Sequence, residues 1–367
     1  MNLGRVLKAV VLSLIVVALA TTPVYPSSAQ SKNPALQPCV PGQTVAVNPI
    51  AVVMPPAANE PVLFAVSTVS PITNMLFNVA GNRIKIHGLV PEGVNSHTFE
   101  PKPSDAAILA EADLIFVNGL ELEVPTMKLA QANLKQGAEI IELGVKAIEE
   151  ADYAYDFSFP KDGGKPNPHL WINPLFALNY ANSIREVLSK RDPDGAAWYQ
   201  SNYDLLAQRI FVLDQAICDT IQTIPEKNRK LLTYHDSYAY FAPRYGMTVI
   251  GAIQPADFSE PSAKDVADLI DQIKTEGIPA IFGSEVFPSP ILEQIGKETG
   301  ARFIDTLADD DLPNSDSNRL YHSYLQLMVN NITTMATALG GNGDALKVVD
   351  ASNVTGPDTK VTSGQSE

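Results

Sequence analysis

The chain is poor in cysteine, histidine and positive charge, and each shortage narrows what it can do. Against 41 Asp and Glu it carries 26 Lys and Arg, a formal net charge of −15. That balance argues against a nucleic-acid partner, whose binding needs a Lys/Arg surface, and fits a protein that favours cations around it. Only Cys39 and Cys218 are present. Export would make a bridge between them chemically open, but they stand far apart in sequence and Cys218 falls in a helical pattern, so the pairing stays undecided. There is no P-loop, no GxGxxG after a strand, no GxSxG elbow and no compact zinc-finger or HExxH signature. Nucleotide binding and the familiar hydrolase chemistries therefore have no local support.

Long apolar runs are also missing. The one at the N-terminus, Ala9 to Ala20, is 12 residues, short of the roughly 20 that span a bilayer. Arg5 and Lys8 precede it and Ser27-Ser28-Ala29 follow, the layout of a cleaved secretory signal peptide over 1–29. An uncleaved membrane anchor is the alternative. Cys39, in Leu36-Gln37-Pro38-Cys39, lacks the small residues that lipid attachment uses. Removing the signal takes away two positive charges and no negative ones, so the mature charge is −15 − 2 = −17.

Beyond the signal, residues 30–61 are rich in Pro and small residues with almost no charge, an extended leader or linker. The tail, 341–367, is rich in Gly, Ser, Thr and Asp and is expected to be flexible. Between them strand and helix patterns alternate, which predicts an α/β architecture with parallel sheets. Strands are expected at Val62 to Thr68, Ile84 to Leu89, Leu114 to Asn118 and Glu139 to Leu143, giving a first lobe over 62–191. Residues 174–223 contain no strand signal. They read as helix, broken at Asp192-Pro193-Asp194-Gly195, then as a long linking helix within 192–228. Strands resume at Lys230 to Thr233, Thr248 to Ile250, Ala280 to Phe282 and Arg302 to Ile304, in a second lobe over 229–340. The expected fold is two roughly four-stranded parallel sheets, flanked by helices and joined by one stiff helix.

Four residues carry chemistry in this frame: His97, His169, His235 and Asp305, at intervals of 72, 66 and 70 residues. Each sits where a strand or loop gives way to the next element, and ligands of open α/β sheets bind beyond the carboxyl ends of strands. Three imidazoles and one carboxylate make a full tetrahedral set for a borderline cation such as zinc. Taken singly, each histidine reads equally as a hydrogen-bonded core or surface residue, and Asp305 as a helix cap. His87, within a strand, and His322, in the last helix, are read as packing or solvent-facing residues.

The local sequences around the four residues resemble a known family. Gly93-Val94-Asn95-Ser96-His97-Thr98-Phe99-Glu100-Pro101 is similar to its first ligand motif, and Asn167-Pro168-His169-Leu170-Trp171-Ile172-Asn173-Pro174 to its second. Tyr234-His235-Asp236-Ser237-Tyr238 resembles the third and Phe303-Ile304-Asp305-Thr306-Leu307 the fourth. The family is the zinc- and manganese-binding solute-binding proteins of bacterial ABC importers, the cluster A-I type, and the resemblance covers roughly 62–339. It implies two lobes on one rigid helix, a divalent metal bound between them by His97, His169, His235 and Asp305, and delivery to an ABC permease. Glu285 resembles a carboxylate near the family's cleft.

The resemblance also implies an extracytoplasmic, monomeric carrier that is not an enzyme. Manganese-favouring members commonly place a carboxylate where this chain has His235, so the third imidazole points to zinc. Many zinc members carry a His-rich loop before the second ligand, whereas 149–166 here has no histidine. A manganese or mixed zinc/manganese carrier therefore stays open. Two readings of other classes remain: an exported zinc hydrolase with three histidines and a bound water, and a surface adhesin, a label some members carry. Asp305 in the fourth position argues against the first. No repeat array or exposed apolar stripe supports the second.

Overall fold

The computed structural model describes residues 33–56, 61–254, 261–284, 290–305, 307–314, 317–358 and 361–363. The expected signal peptide and Glu285 lie outside them. The first lobe is built from β1 (Phe64–Ser67), α1 (Ser70–Ala80), β2 (Lys85–Gly88), α2 (Pro103–Glu111), β3 (Leu114–Val117), α3 (Val124–Asn133), β4 (Glu139–Glu142) and α4 (Leu143–Ala147). Its β3 is buried along its whole length, as a parallel strand covered on both faces must be. The spine follows: α5 (Pro174–Arg191), opened by an Asn173 cap, and α6 (Ala196–Gln222). The second lobe comprises β5 (Lys230–Thr233), α7 (Ala242–Tyr245), β6 (Thr248–Ala252), α8 (Ala263–Glu276), β7 (Ala280–Phe282), α9 (Pro290–Thr299) and β8 (Arg302–Ile304). The chain returns through α10 (Tyr324–Ala338) to a short β9 (Thr362–Ser363).

Both sheets are parallel throughout, in the orders β4-β3-β1-β2-β9 and β6-β5-β7-β8. In the first, the chain leaves β1 for β2 on one side and later fills the other side with β3 and β4. That reversal opens a crevice at the carboxyl ends of the strands. The second sheet repeats the pattern, with β5 inside. At 27 residues, α6 is about 40 Å long. One hydrophobic core runs from Val69 and Phe77 of the first lobe through Ile184, Ile210 and Ile217 of the spine to Tyr245, Phe282 and Met328 of the second lobe and α10.

Two arginines lock the lobes onto this spine. Arg83 grips Asp192 at the α5–α6 turn through two nitrogens, and Tyr199 Oη donates to the same carboxylate at 2.6 Å. Arg244 of α7 does the same to Asp214 of α6, where Tyr245 Oη also donates. Two-pronged arginine–carboxylate pairs fix orientation as well as distance, so neither lobe can swing without breaking a buried ion pair.

The terminal segments depart from the sequence picture in one respect. The leader is extended as expected, and it runs along the spine. Cys39 and Cys218 are joined by a disulfide, and Gly42 and Asn48 donate backbone N–H groups to Asp219 and Gln208 of α6. The tail, expected to be flexible, is fastened as far as its described residues reach. Asn353 meets Asn74 and Asn78 of α1 through side-chain amides at 2.8 and 2.9 Å, and β9 adds to the edge of β2. Composition suggested fraying because the segment is polar. Its polar groups are instead spent on a buried amide network, where each bond counts for more than in water.

His322 is the centre of this fastening, not a packing residue within a helix. It precedes α10, with Nδ1 2.6 Å from Asp358 of the tail and Nε2 2.6 Å from Glu92 of the loop after β2. Burial works against a charged ring, but the hydrogen bonds to Asp358 and Glu92 outweigh it and push the pKa up to about 9. A raised histidine pKa contributes stability that is complete below the unfolded value near 6.5 and is lost as pH rises through about 9. His322→Gln should destabilise the protein by about 3 kcal/mol at pH 7, since it strands two carboxylates against a neutral amide. Calorimetry at pH 7 and pH 9.5 checks this. The melting-temperature gap between wild type and variant should shrink at the higher pH, and a constant gap would rule out the ion-pair explanation.

Candidate metal centre

Three of the four residues singled out in the sequence meet between the lobes. His97 lies on the loop after β2, His169 at the end of the long loop that follows α4, and His235 two residues past β5. His169 Nε2 stands 3.1 Å from His97 Nε2 and 3.1 Å from His235 Nε2. The ring centroids are 4.9 to 5.3 Å apart. Four donors held tetrahedrally about 2.0–2.1 Å from a zinc ion would stand about 3.3–3.4 Å from one another. The imidazoles are therefore already near the spacing that one ion requires.

Asp305 does not join them. The chain leaves β8 at Ile304, and Asp305 is solvent-exposed. The carboxylate that reaches the cluster is Asp309, four residues on, whose Oδ2 is 3.0 Å from His235 Nε2. Asp309 and His235 are both buried, as is His169, and His97 alone is partly open. Asp305 thus stands exposed just past β8, and Asp309 is the carboxylate in contact with His235. The fourth motif selects Asp305, and no motif pointed to Asp309, Asp310 or Asp311.

The surrounding groups set which nitrogen of His169 faces the centre. Asn167 Nδ2 donates to Asp156 Oδ2 and to the Asp236 carbonyl, both at 2.6 Å. With its amide hydrogens spent there, its Oδ1 faces His169 and accepts from the backbone N–H at 2.9 Å and from Nδ1 at 3.0 Å. A donor Nδ1–H leaves Nε2 as a lone pair aimed at the other imidazoles. Asn167 was quoted in the second motif without a role; only the fold shows that its amide is clamped on both sides.

Electrostatics keep the nitrogens neutral. Burial, then the neighbouring His235, holds His97 down to about 3, and burial with both neighbours holds His169 well below the ordinary value. Asp309 experiences the opposite balance. Burial raises its pKa, but His235 beside it overrides burial and keeps the carboxyl below its usual range. Two neutral imidazoles and an ionised carboxylate are the protonation states a metal ion needs.

The second lobe also holds the first ligand loop in place. Asp311 accepts from the Gly93 backbone at 2.7 Å, Asp310 from Ser96 Oγ at 2.5 Å, and the Asp309 carbonyl from Trp171 Nε1 at 2.9 Å. Phe159 and Trp171 close over the rings, 5.6 Å and 5.2 Å from His169. Beside His97 a pocket of about 420 Å³ opens outward between Leu120, Phe159 and Lys165.

Comparison with known proteins places this arrangement. The family model for the periplasmic component A of a zinc-uptake complex matches residues 65–338. The chain belongs to that family. It is 26% identical over 278 residues to the manganese-binding lipoprotein MntA of Halalkalibacterium halodurans, covering 75% of this chain and 87% of that protein. It is 27% identical to the iron-binding protein YfeA of Yersinia pestis, over 75% of this chain and 86% of the other. Among solved structures, a cadmium-bound periplasmic metal-binding protein from Candidatus Liberibacter asiaticus superposes with a TM-score of 0.65 at 26% identity, over 76% and 99% of the two chains. The periplasmic zinc-binding protein TroA of Treponema pallidum gives 0.68 at 24% identity with the same coverage, a likeness of fold.

The two candidate carboxylates can be separated by titration. Asp309→Ala should weaken zinc binding by at least tenfold, whereas Asp305→Ala should change it less than about threefold. Competition against a chromophoric chelator reads both. The reverse ranking would return the fourth position to Asp305.

Proposed function

We propose that this protein captures a divalent transition metal outside the cytoplasmic membrane and hands it to an ABC permease for import. One observation carries the reading: three imidazole nitrogens, each from a different loop, meet between two lobes, and Asp309 Oδ2 stands 3.0 Å from one of them, His235 Nε2. We assign His97, His169, His235 and Asp309 as the ligands of the cargo ion. Three nitrogens and one oxygen suit zinc better than manganese, whose preference is for hard oxygen donors. Four protein donors suit carriage better than hydrolysis, which needs an open position on the metal. Relatives named for manganese and iron support the wider class of divalent cargo and keep a mixed zinc/manganese role as the second reading.

An exported monomer fits the rest. A disulfide is at home in an oxidising compartment, and among the described residues no helix is long and apolar enough to cross a membrane. The net charge of −15 concentrates cations near the surface.

Metal analysis of the natively purified protein by mass spectrometry, with Zn²⁺ and Mn²⁺ in competition, tests the proposal. One tight site per chain is expected, with zinc bound at least tenfold more tightly. Trp171, buried beside His169, should report binding through its fluorescence. His169→Ala should abolish tight binding. Retention of tight binding in that variant would sink the assignment, and metal-dependent turnover of ester or phosphoester substrates would make the carrier reading incomplete.

A further inference from the structure

The loop that carries His97 is gripped from two sides. It leaves the first sheet at Val90, whose backbone N–H still reaches the Thr68 carbonyl. Beyond that point the second lobe holds it, through Asp311 on Gly93 and Asp310 on Ser96. On the other side stands His322, whose Nε2 meets Glu92 Oε1 at 2.6 Å, one residue before Gly93. Asp310 and Asp311 belong to the same acidic segment as Asp309, whereas His322 belongs to neither that segment nor the loop. His322 is itself held at several points. Its Nδ1 meets Asp358 of the tail at 2.6 Å, and Arg319 Nε pairs with the other oxygen of that carboxylate at 2.7 Å. Its carbonyl accepts from Asn74 Nδ2 of α1 at 3.0 Å and from Asn353 Nδ2 of the tail at 3.1 Å.

We propose that His322 and Asp358 are positioning residues for His97: the C-terminal tail tethers the first ligand loop through Glu92 and keeps His97 at the cargo ion. The proposal rests on the reading of His97 as a ligand. A protonated imidazole donates from both nitrogens, and hydrogen bonds between ionised partners are the stronger and more directional ones. The ring can bridge Asp358 and Glu92 in one orientation, so the place of the buried tail carboxylate is passed on to the loop. His97 is also the ligand with most to gain from an outside tether. It alone of the three imidazoles is partly open, and it lies among turns between β2 and α2. With the tether cut, the loop frays and His97 leaves the ion more often. The effect falls on dissociation, where most changes in affinity within one site are found.

Zinc release is followed after mixing the zinc-loaded mature chain with excess EDTA, with Trp171 fluorescence as the signal. Glu92→Gln and Asp358→Asn should each speed release by at least fivefold. Asp350→Asn removes the tail's ion pair to Arg209 of α6 and loosens the tail away from the ligand loop. It should leave the rate within twofold, whatever it does to the melting temperature. In a His97→Gln background Glu92→Gln should change release by less than twofold, as a double-mutant cycle requires when one residue acts through the other. Unchanged release in Glu92→Gln overturns the proposal, and if Asp358→Asn does not fold, Glu92→Gln alone decides. Equal acceleration by Asp350→Asn, or an undiminished effect of Glu92→Gln without His97, overturns it too, leaving general loosening as the cause. If His97→Gln by itself leaves zinc binding intact, the ligand reading fails and takes the tether with it. Weakened binding in His97→Gln beside unchanged release in Glu92→Gln sinks the tether alone.

Discussion

Three imidazoles meet between the lobes, with His169 Nε2 3.1 Å from both His97 Nε2 and His235 Nε2, and the rest of the molecule is organised to hold them there. The rings come from loops of both lobes, so the lobes must be fixed relative to each other before the cluster can exist. The continuous core through α5, α6 and α10 provides most of that rigidity. Arg83–Asp192 and Arg244–Asp214 add the orientation, one at each end of the spine. Removing one partner of such a buried pair costs about 3–5 kcal/mol, so the lobes have little freedom to drift apart.

Much of this was legible in the sequence because it depends on periodicity. The β strands fall where apolar runs met turn residues, with Lys230–Thr233, Ala280–Phe282 and Arg302–Ile304 at the expected bounds. The long helix was visible because no strand signal interrupted it. The three histidines were legible because each lies just beyond a strand or loop end, where side chains of an open α/β fold converge. Asp305 was singled out by its place at the end of the last strand and by the fourth motif, whereas no motif pointed to Asp309. A residue at a strand's end faces either the crevice or the solvent according to how the following loop folds, and that depends on tertiary contacts such as Trp171 to the Asp309 carbonyl. The ordered tail was missed for a related reason. Polarity predicts exposure only where polar groups lack buried partners, and Asn353 and Asp358 have them.

The two terminal segments lie outside the part of the chain that the family model matches, yet they bind to the same frame. The leader is tied to α6 by the disulfide and to α7 by Arg244, which donates to the carbonyls of Pro34 and Gln37. The tail is tied to α1 by amides and to the loop after β2 through His322 and Glu92. That loop carries His97. Each extension therefore bears on the spine or on a ligand loop and reinforces the contacts that set the position of the site.

A frame fastened in this way limits how cargo can leave. Opening the lobes as rigid bodies would break the buried arginine pairs, the shared core and the anchors of both extensions together. The 309–311 segment is held by side-chain and backbone contacts, among them those to Gly93, Ser96, Trp171, Ser237 and His235, and by no sheet. That segment follows a strand of three residues and joins no sheet of its own. Under the proposed ligand set Asp309 is the carboxylate, so its withdrawal would remove the negative charge that compensates the ion and leave the three imidazoles. On that ligand set, local movement of one acidic loop would weaken the site while the spine stayed still.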